Sequence, residues 1–141
     1  MAAVNLNTIR QTIEARLSDE LDDSPVIPIA FSNVSFTPDA DSSWVQCQVS
    51  FGSNEYLSQG STADSQNRIV GLLTVNIFTA TNNGPGANYV IAKRIRDLYN
   101  RVIVSGVYFD AVNGPSILAK SAVDGYFQTQ VRVTFEFIED L

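Results

Sequence analysis

From Phe127 to Ile138 the chain alternates for twelve residues, with Phe127, Thr129, Val131, Val133, Phe135 and Phe137 on one side and Gln128, Gln130, Arg132, Thr134 and Glu136 on the other. A period of two sustained that long specifies a β-strand with one face buried and one face solvated. A strand of this kind is not stable alone, so it needs partners beside it and a cover on its apolar face. Residues 44–51 repeat the pattern, setting Val45, Cys47, Val49 and Phe51 against Gln46, Gln48 and Ser50. Between these two segments, Arg68 to Thr79 places Val70, Leu72 and Phe78 opposite Leu73, Val75 and Ile77. Both of its faces are largely apolar, which predicts a central strand.

The covers are legible as well. Leu6, Ile9, Ile13, Leu17 and Leu21 recur at helical spacing and predict a first helix over about 6–19, capped by Asn5 or Asn7. Asp19, Glu20, Asp22 and Asp23 crowd its exit, where negative charge is unfavourable, and are expected to stop it before Pro25. Ile91, Ile95, Leu98 and Val102 form a second stripe and predict a helix over about 87–101, with Asn88 as its cap. Val26 to Phe36 contains Pro28 and reads as an edge or irregular strand. Val102 to Val112 reads as a fourth strand, Asn113-Gly114-Pro115 as a turn, and Ser116 to Ala122 as a short fifth strand. About six strands with two interleaved helices predict an α+β fold: a single domain whose mostly antiparallel β-sheet has two helices packed on it.

A chain of 141 residues holds one ordinary domain and can bury enough surface to need no staple. Charged residues are only 17% of it, so the surface leans on Ser, Thr, Asn and Gln. A net charge of −6 opposes nonspecific attraction to phosphate backbones and anionic lipid. Histidine is absent, which removes the commonest general base, the Ser-His and Cys-His pairs and the commonest transition-metal ligand. The single cysteine, Cys47, lies on the inward side of its strand and reads as a buried structural thiol. The first residues, MAAVNLNTIRQ, lack the form of a signal peptide, and no apolar run is long enough to cross a bilayer. The expectation is a protein of the cytoplasm, or of something assembled there, and the sequon at Asn33-Val34-Ser35 then has no meaning.

Few groupings could carry chemistry. The acidic runs at Asp19 to Asp23 and at Asp39 and Asp41 do not follow an EF-hand pattern and read as solvated charge. Gly84-Pro85-Gly86 lacks the third glycine of a dinucleotide loop and the lysine of a phosphate-binding loop, so a tight turn explains it. Two further features have both a plain and an assembly reading. Residues 53–67 form a long polar connection containing Glu55, Tyr56 and Leu57, which is either mobile or functional. Lys93, Arg94, Arg96 and Arg101 make a basic ridge on the second helix, either a solvated face with Asp97 or a partner for the acidic run of another copy.

Taken in order, the helix, the extended PIAFSNVSFTPD, the strand SSWVQCQVSF, the loop LSQGSTADSQNRIVG, the strand LLTVNIFTA, the turn TNNGPGAN, the helix IAKRIRDLYN and the closing strand resemble the tail-terminator family of tailed bacteriophages. Agreement is closest from Pro28 to Tyr99, notably at Gly60, at Arg68-Ile69-Val70-Gly71, at Phe78 and at the Gly86-Ala87 turn. The resemblance implies a non-enzymatic virion protein, without cofactor or metal, that is assembled in the host cytoplasm. It implies a homo-oligomeric ring, hexameric by expectation, on the head-proximal end of the tail tube, meeting the tube protein and the head-tail connector or stopper. Viral DNA would pass through its lumen without specific binding, and no membrane is involved. Glu55, Tyr56, Leu57, Arg68, Lys93, Arg94 and Arg96 are the candidate interface residues, and charge reversal at Arg68 or Arg94 is expected to spare the fold. The rival readings are a stopper, a connector adaptor, a tube protein, or a small metal-dependent or ligand-binding module.

Overall fold

The computed structural model describes residues 5–23, 25–39, 41–56 and 66–140. In chain order its elements are α1 (Leu6–Leu21), β1 (Ile29–Phe31), β2 (Trp44–Tyr56), β3 (Gln66–Ala80), α2 (Gly86–Tyr99), β4 (Ile103–Val104), β5 (Val107–Phe109), β6 (Asn113–Ile117) and β7 (Tyr126–Asp140). They make one seven-stranded sheet in the order β1-β2-β3-β7-β5-β4, with β6 also paired to β7. Every described pairing is antiparallel except the parallel pairing of β1 with β2. The fold is α+β, and β3 is central as its two apolar faces predict: it pairs with β2 on one side and with β7 along its full length on the other.

The register aligns the inward residues across the three long strands. Cys47 sits beside Val75, which sits beside Val131, and the odd-numbered neighbours follow suit. That face meets both helices. Ile9, Ile13, Leu17 and Leu21 of α1 and Ile91, Ala92, Ile95 and Tyr99 of α2 join it in one buried cluster. Each such buried aliphatic or aromatic side chain contributes about 1.5–3 kcal/mol through removal from water. The helices are also tied to each other, because the Tyr99 hydroxyl donates to the carbonyl of Ile13 at 2.7 Å.

The opposite face of the sheet is polar. Asn76 Nδ2 donates to Gln46 Oε1 at 3.1 Å, while Gln128 Nε2 and Gln130 Nε2 each donate to Asn76 Oδ1 at 3.0 Å. These amides form a ladder across β2, β3 and β7 that leaves this face hydrogen-bonded without a helix over it. At its end Trp44 stacks on Phe78 with ring centroids 4.2 Å apart, and Phe36 and Tyr126 pack around the pair.

Several boundaries differ from the sequence expectation, each for a physical reason. Helix α1 starts at the Asn5 cap, whose side chain accepts from the Asn7 amide, but it runs on to Leu21 because Leu21 is buried in the core. Asp19 and Glu20 therefore lie inside the helix. Asn88 does not cap α2, which begins after Pro85 with no side-chain cap. Asn88 is fully buried and donates to the carbonyls of Ile77 and Phe127 and to Thr79 Oγ1, while accepting from Thr129 Oγ1.

The expected fourth strand is a hairpin of β4 and β5, folded where Ser105 and Gly106 take left-handed backbone angles of 48° and 81°. The turn expected at Asn113-Gly114-Pro115 is part of β6, which slips register against β7 between Asn113 and Ser116. Pro115 lacks a ladder donor, and Gly114, at φ 104°, sits where a Cβ would meet the carbonyl of Gln130, so the strand bulges. The polar connection is shorter than expected too, since 53–56 and 66–67 belong to β2 and β3.

Gly71 faces the helices opposite Phe135, and a Cβ there would run into the ring at Cζ. Phe135 is fully buried between Phe51 and Phe109 and has little room to retreat. Gly71→Ala is expected to cost about 1–3 kcal/mol in urea unfolding. Adding Phe135→Leu should recover part of that loss, and strict additivity of the two changes would contradict the contact.

Candidate assembly surfaces

The basic residues of α2 have different surroundings. Arg94 is largely covered and reaches the end of α1, donating to the carbonyls of Glu20 at 2.5 Å, Asp23 at 2.7 Å and Pro25 at 3.1 Å. Its Nε also lies 3.5 Å from Glu20 Oε1. Arg16 of α1 does the reciprocal job, its Nε and Nη2 donating to the carbonyl of Leu98 at 3.0 and 2.8 Å. Each helix thus places a guanidinium on the carbonyl-rich end of the other, where the helix dipole favours a cation. Arg96 Nη1 donates to the carbonyl of Gly114 at 2.7 Å and ties α2 to the bulge of β6. Lys93 pairs with Asp97 at 2.6 Å, with both side chains well exposed.

The acidic run and the basic ridge do meet, but within one chain. Arg94 therefore leaves the set of residues whose reversal would spare the fold, because its bonds tie α2 to Glu20 and to the turn that follows α1.

Arg68 stands near the end of the sheet where β2 finishes and β3 begins. It lies directly across from Glu55, and Arg68 Nη2 is 2.7 Å from Glu55 Oε2, with Glu136 Oε2 at 3.7 Å from Nη1. Tyr56 ends β2, and Leu57 lies outside the described residues. The structure thus brings Glu55 and Arg68 together at this end and leaves Lys93, Arg94 and Arg96 on α2.

Two features escaped the sequence reading. Trp44 shares its side of β2 with Gln46 and Gln48, and a large aromatic ring on a polar face was the available signal. Here it walls a cavity of about 540 Å³ together with Phe31, Val34, Phe36 and the two glutamines. Its Nε1 is buried and, with Arg68 Nε, is one of two such side-chain nitrogens without a hydrogen-bond partner among the described residues. The other feature is the β4–β5 hairpin, which leaves Ile103 65% and Tyr108 44% exposed.

Cys47 is wholly enclosed, as the strand pattern predicts, and burial pushes its thiol up to about 12, with Glu14 adding to the rise. Burial likewise raises the Tyr99 phenol, with the nearby Cys47 adding to it. Among the described residues no three carboxylate or thiol groups come together as metal ligands would, and no helix is long and apolar enough to cross a membrane.

Two outcomes follow from these contacts. Arg94→Ala should cost about 1–2 kcal/mol of stability, whereas Lys93→Ala should change it by no more than about 0.5 kcal/mol, because only the first removes charge-assisted bonds that join two elements, one of them half-buried. Equal losses in chemical denaturation would contradict this ranking. The two raised groups bind their protons more tightly in the folded chain than in the unfolded one. Their stabilisation is complete below the ordinary thiol and phenol values and drains away as pH climbs toward the folded ones. Between pH 9 and 10 Cys47 alone should cost about 1 kcal/mol, and Cys47→Val should flatten that part of the curve.

No curated protein matches the chain closely enough to count as a relative. Among solved structures eighteen chains match it. One of them superposes with a TM-score of 0.72 at 18% identity, covering 95% of this chain and 96% of that one, a likeness of fold. A family profile described as phage tail terminator protein matches residues 8–135, from the first turns of α1 into β7. That span takes in both helices and reaches all seven strands, so the chain belongs to the phage tail terminator family and has a structural role as a component of phage tails.

Proposed function

We propose that the protein closes into a ring of about six copies on the head-proximal end of the tail tube, ends tube growth there and offers a surface to the head connector. The observation that carries this is the family match over residues 8–135. The geometry of the sheet disfavours growth by edge-to-edge strand pairing. Its outermost strands, β1 and β4, are three and two residues long, too short to template growth by strand pairing. Copies would therefore meet through side chains, in a contact that joins one patch to a different patch on the next copy and is used up on closure.

Glu55, Tyr56 and Arg68 at the end of the long strands, Leu57 next in the chain, and Lys93 and Arg96 on α2 are the residues assigned to contacts with neighbouring copies, the tube protein or the connector. Arg94 contributes by holding α1 and α2 as one surface. The net charge of −6 suits a lumen through which DNA slides without specific binding.

The native mass tests this reading. The purified chain, alone or with tail tubes, is expected to form a species near six times 15.4 kDa and to bind tubes at one end. Arg68→Gln, which avoids setting a third carboxylate beside Glu55 and Glu136, or a deletion within residues 57–65, should reduce assembly while leaving circular dichroism unchanged. Long tubes of the protein itself in electron micrographs would instead make it a tube protein. A chain that stays monomeric at high concentration and in the presence of tubes would refute the ring.

A further inference from the structure

We propose that Asn83 is a site of covalent modification: its side-chain amide closes onto the backbone nitrogen of Gly84 and is converted through a cyclic imide to aspartyl and isoaspartyl products, while the fold holds Asn113 back from the same reaction. The chain carries Asn-Gly-Pro twice, at 83–85 and at 113–115. Asn-Gly is the pair in which this ring closes with least hindrance, because glycine has no Cβ to block the approach to its nitrogen. With the three residues identical, what separates the two sites is structural.

The first copy stands in the open. Residues 81–87, in the turn between β3 and α2, are all exposed. The backbone is left-handed at Asn82 and Gly84, with φ 69° and 73°, and a Cβ on Gly84 would meet nothing within 4 Å. Neither the Asn83 side chain nor the Gly84 nitrogen has a hydrogen-bond partner among the described residues. The side chain can therefore swing onto that nitrogen without breaking a contact, and a turn so poorly tied opens at little cost.

The second copy is clamped. Asn113 pairs with Arg132 in the β6–β7 ladder, and Ser116 pairs with Gln130. A Cβ on Gly114 would lie 2.5 Å from the carbonyl oxygen of Gln130 and 3.3 Å from Cα of Val131. Arg96 Nη1 holds the Gly114 carbonyl at 2.7 Å, and Asn100 Oδ1 holds the Val112 amide at 3.1 Å. β6 must leave β7 before Asn113 can close its ring.

In the reaction hydroxide removes the Gly84 amide proton and the nitrogen forms a bond to Asn83 Cγ. The Cγ–Nδ2 bond breaks, and Nδ2 leaves as ammonia with a proton from water. A second water opens the ring. Attack at Cγ restores the main chain with an aspartyl side chain, and attack at the backbone carbonyl carbon leaves the main chain running through Cβ. Amide and water become carboxylate and ammonium, with no oxidant or reductant. The product adds a negative charge to a chain that carries −6, just ahead of α2, whose first turn holds no acidic residue.

The test incubates the full chain in warm, mildly alkaline buffer, digests samples under acid and weighs the peptides. The peptide holding Asn83 is expected to gain the mass of NH2 exchanged for OH and to become a substrate for an isoaspartyl methyltransferase. It should convert at least roughly tenfold faster than the peptide holding Asn113, whose reaction waits on local opening. In urea that unfolds the chain the two rates should converge. Asn83→Ser, an exposed change expected to leave circular dichroism as it is, should abolish the mass gain in its peptide. The proposal is overturned if Asn83 persists in the folded chain while the unfolded chain reacts, or if Asn113 keeps pace with it in the folded chain. A difference that survives in urea would trace to sequence rather than fold and overturn it as well, and a mass gain retained by Asn83→Ser would assign the reaction to another residue.

Discussion

A helix resting on a sheet through aliphatic side chains alone can slide, because apolar contact is non-directional. In this fold the side-chain amide of Asn88 prevents it. Buried under α2, the amide reaches backbone of β3 and β7 and hydroxyls from the same two strands, so it fixes helix and sheet in one register. Losing it would leave several buried groups without partners at once, which is costlier than the absence of any single bond. The rest of the helical layer is positioned from this point: α2 carries Tyr99 to the Ile13 carbonyl and Arg94 to the end of α1, so α1 is located through α2.

The exchange of guanidinium groups between the helices also settles how charge is distributed. On the sequence, the acidic run after α1 and the basic stretch of α2 look like complementary patches suited to two different copies. In the structure much of that complementarity is satisfied internally through backbone carbonyls, leaving Lys93 and Asp97 as a solvated pair of little energetic weight. Surfaces for association must then be sought where charge is scarce. That shifts attention to the polar face of the sheet, with its amide ladder and its aromatic cluster.

The parts of the fold that were legible are those whose periodicity is set by burial on one side. β2, β3 and β7, the stripes of both helices and the enclosed Cys47 follow from spacing alone. What spacing could not give is the identity of a polar partner. Asn88 near a helix start reads locally as a cap, and only the carbonyls of β3 and β7, distant in sequence, explain its burial. Gly114 and Pro115 read as a turn because their local preferences exclude a regular ladder, yet β7 accepts them as a bulge. The candidate surfaces were half legible. Glu55 and Arg68 do come together across β2 and β3, but the recess at Trp44 depends on residues 31–38 folding over the sheet, which no local pattern encodes.

The three long strands differ from the short edges in how they would bear a load. β3 is bonded to β7 from Gln66 through Ala80 and to β2 over much of the same span. A pull along the strand axis loads these ladders in shear, so many bonds must fail together. A pull at right angles peels β1 or β4 away a few bonds at a time. A body built from such sheets is therefore stiff in one direction and yielding in the other, and the orientation of its strands relative to an applied tension decides whether it transmits strain or absorbs it.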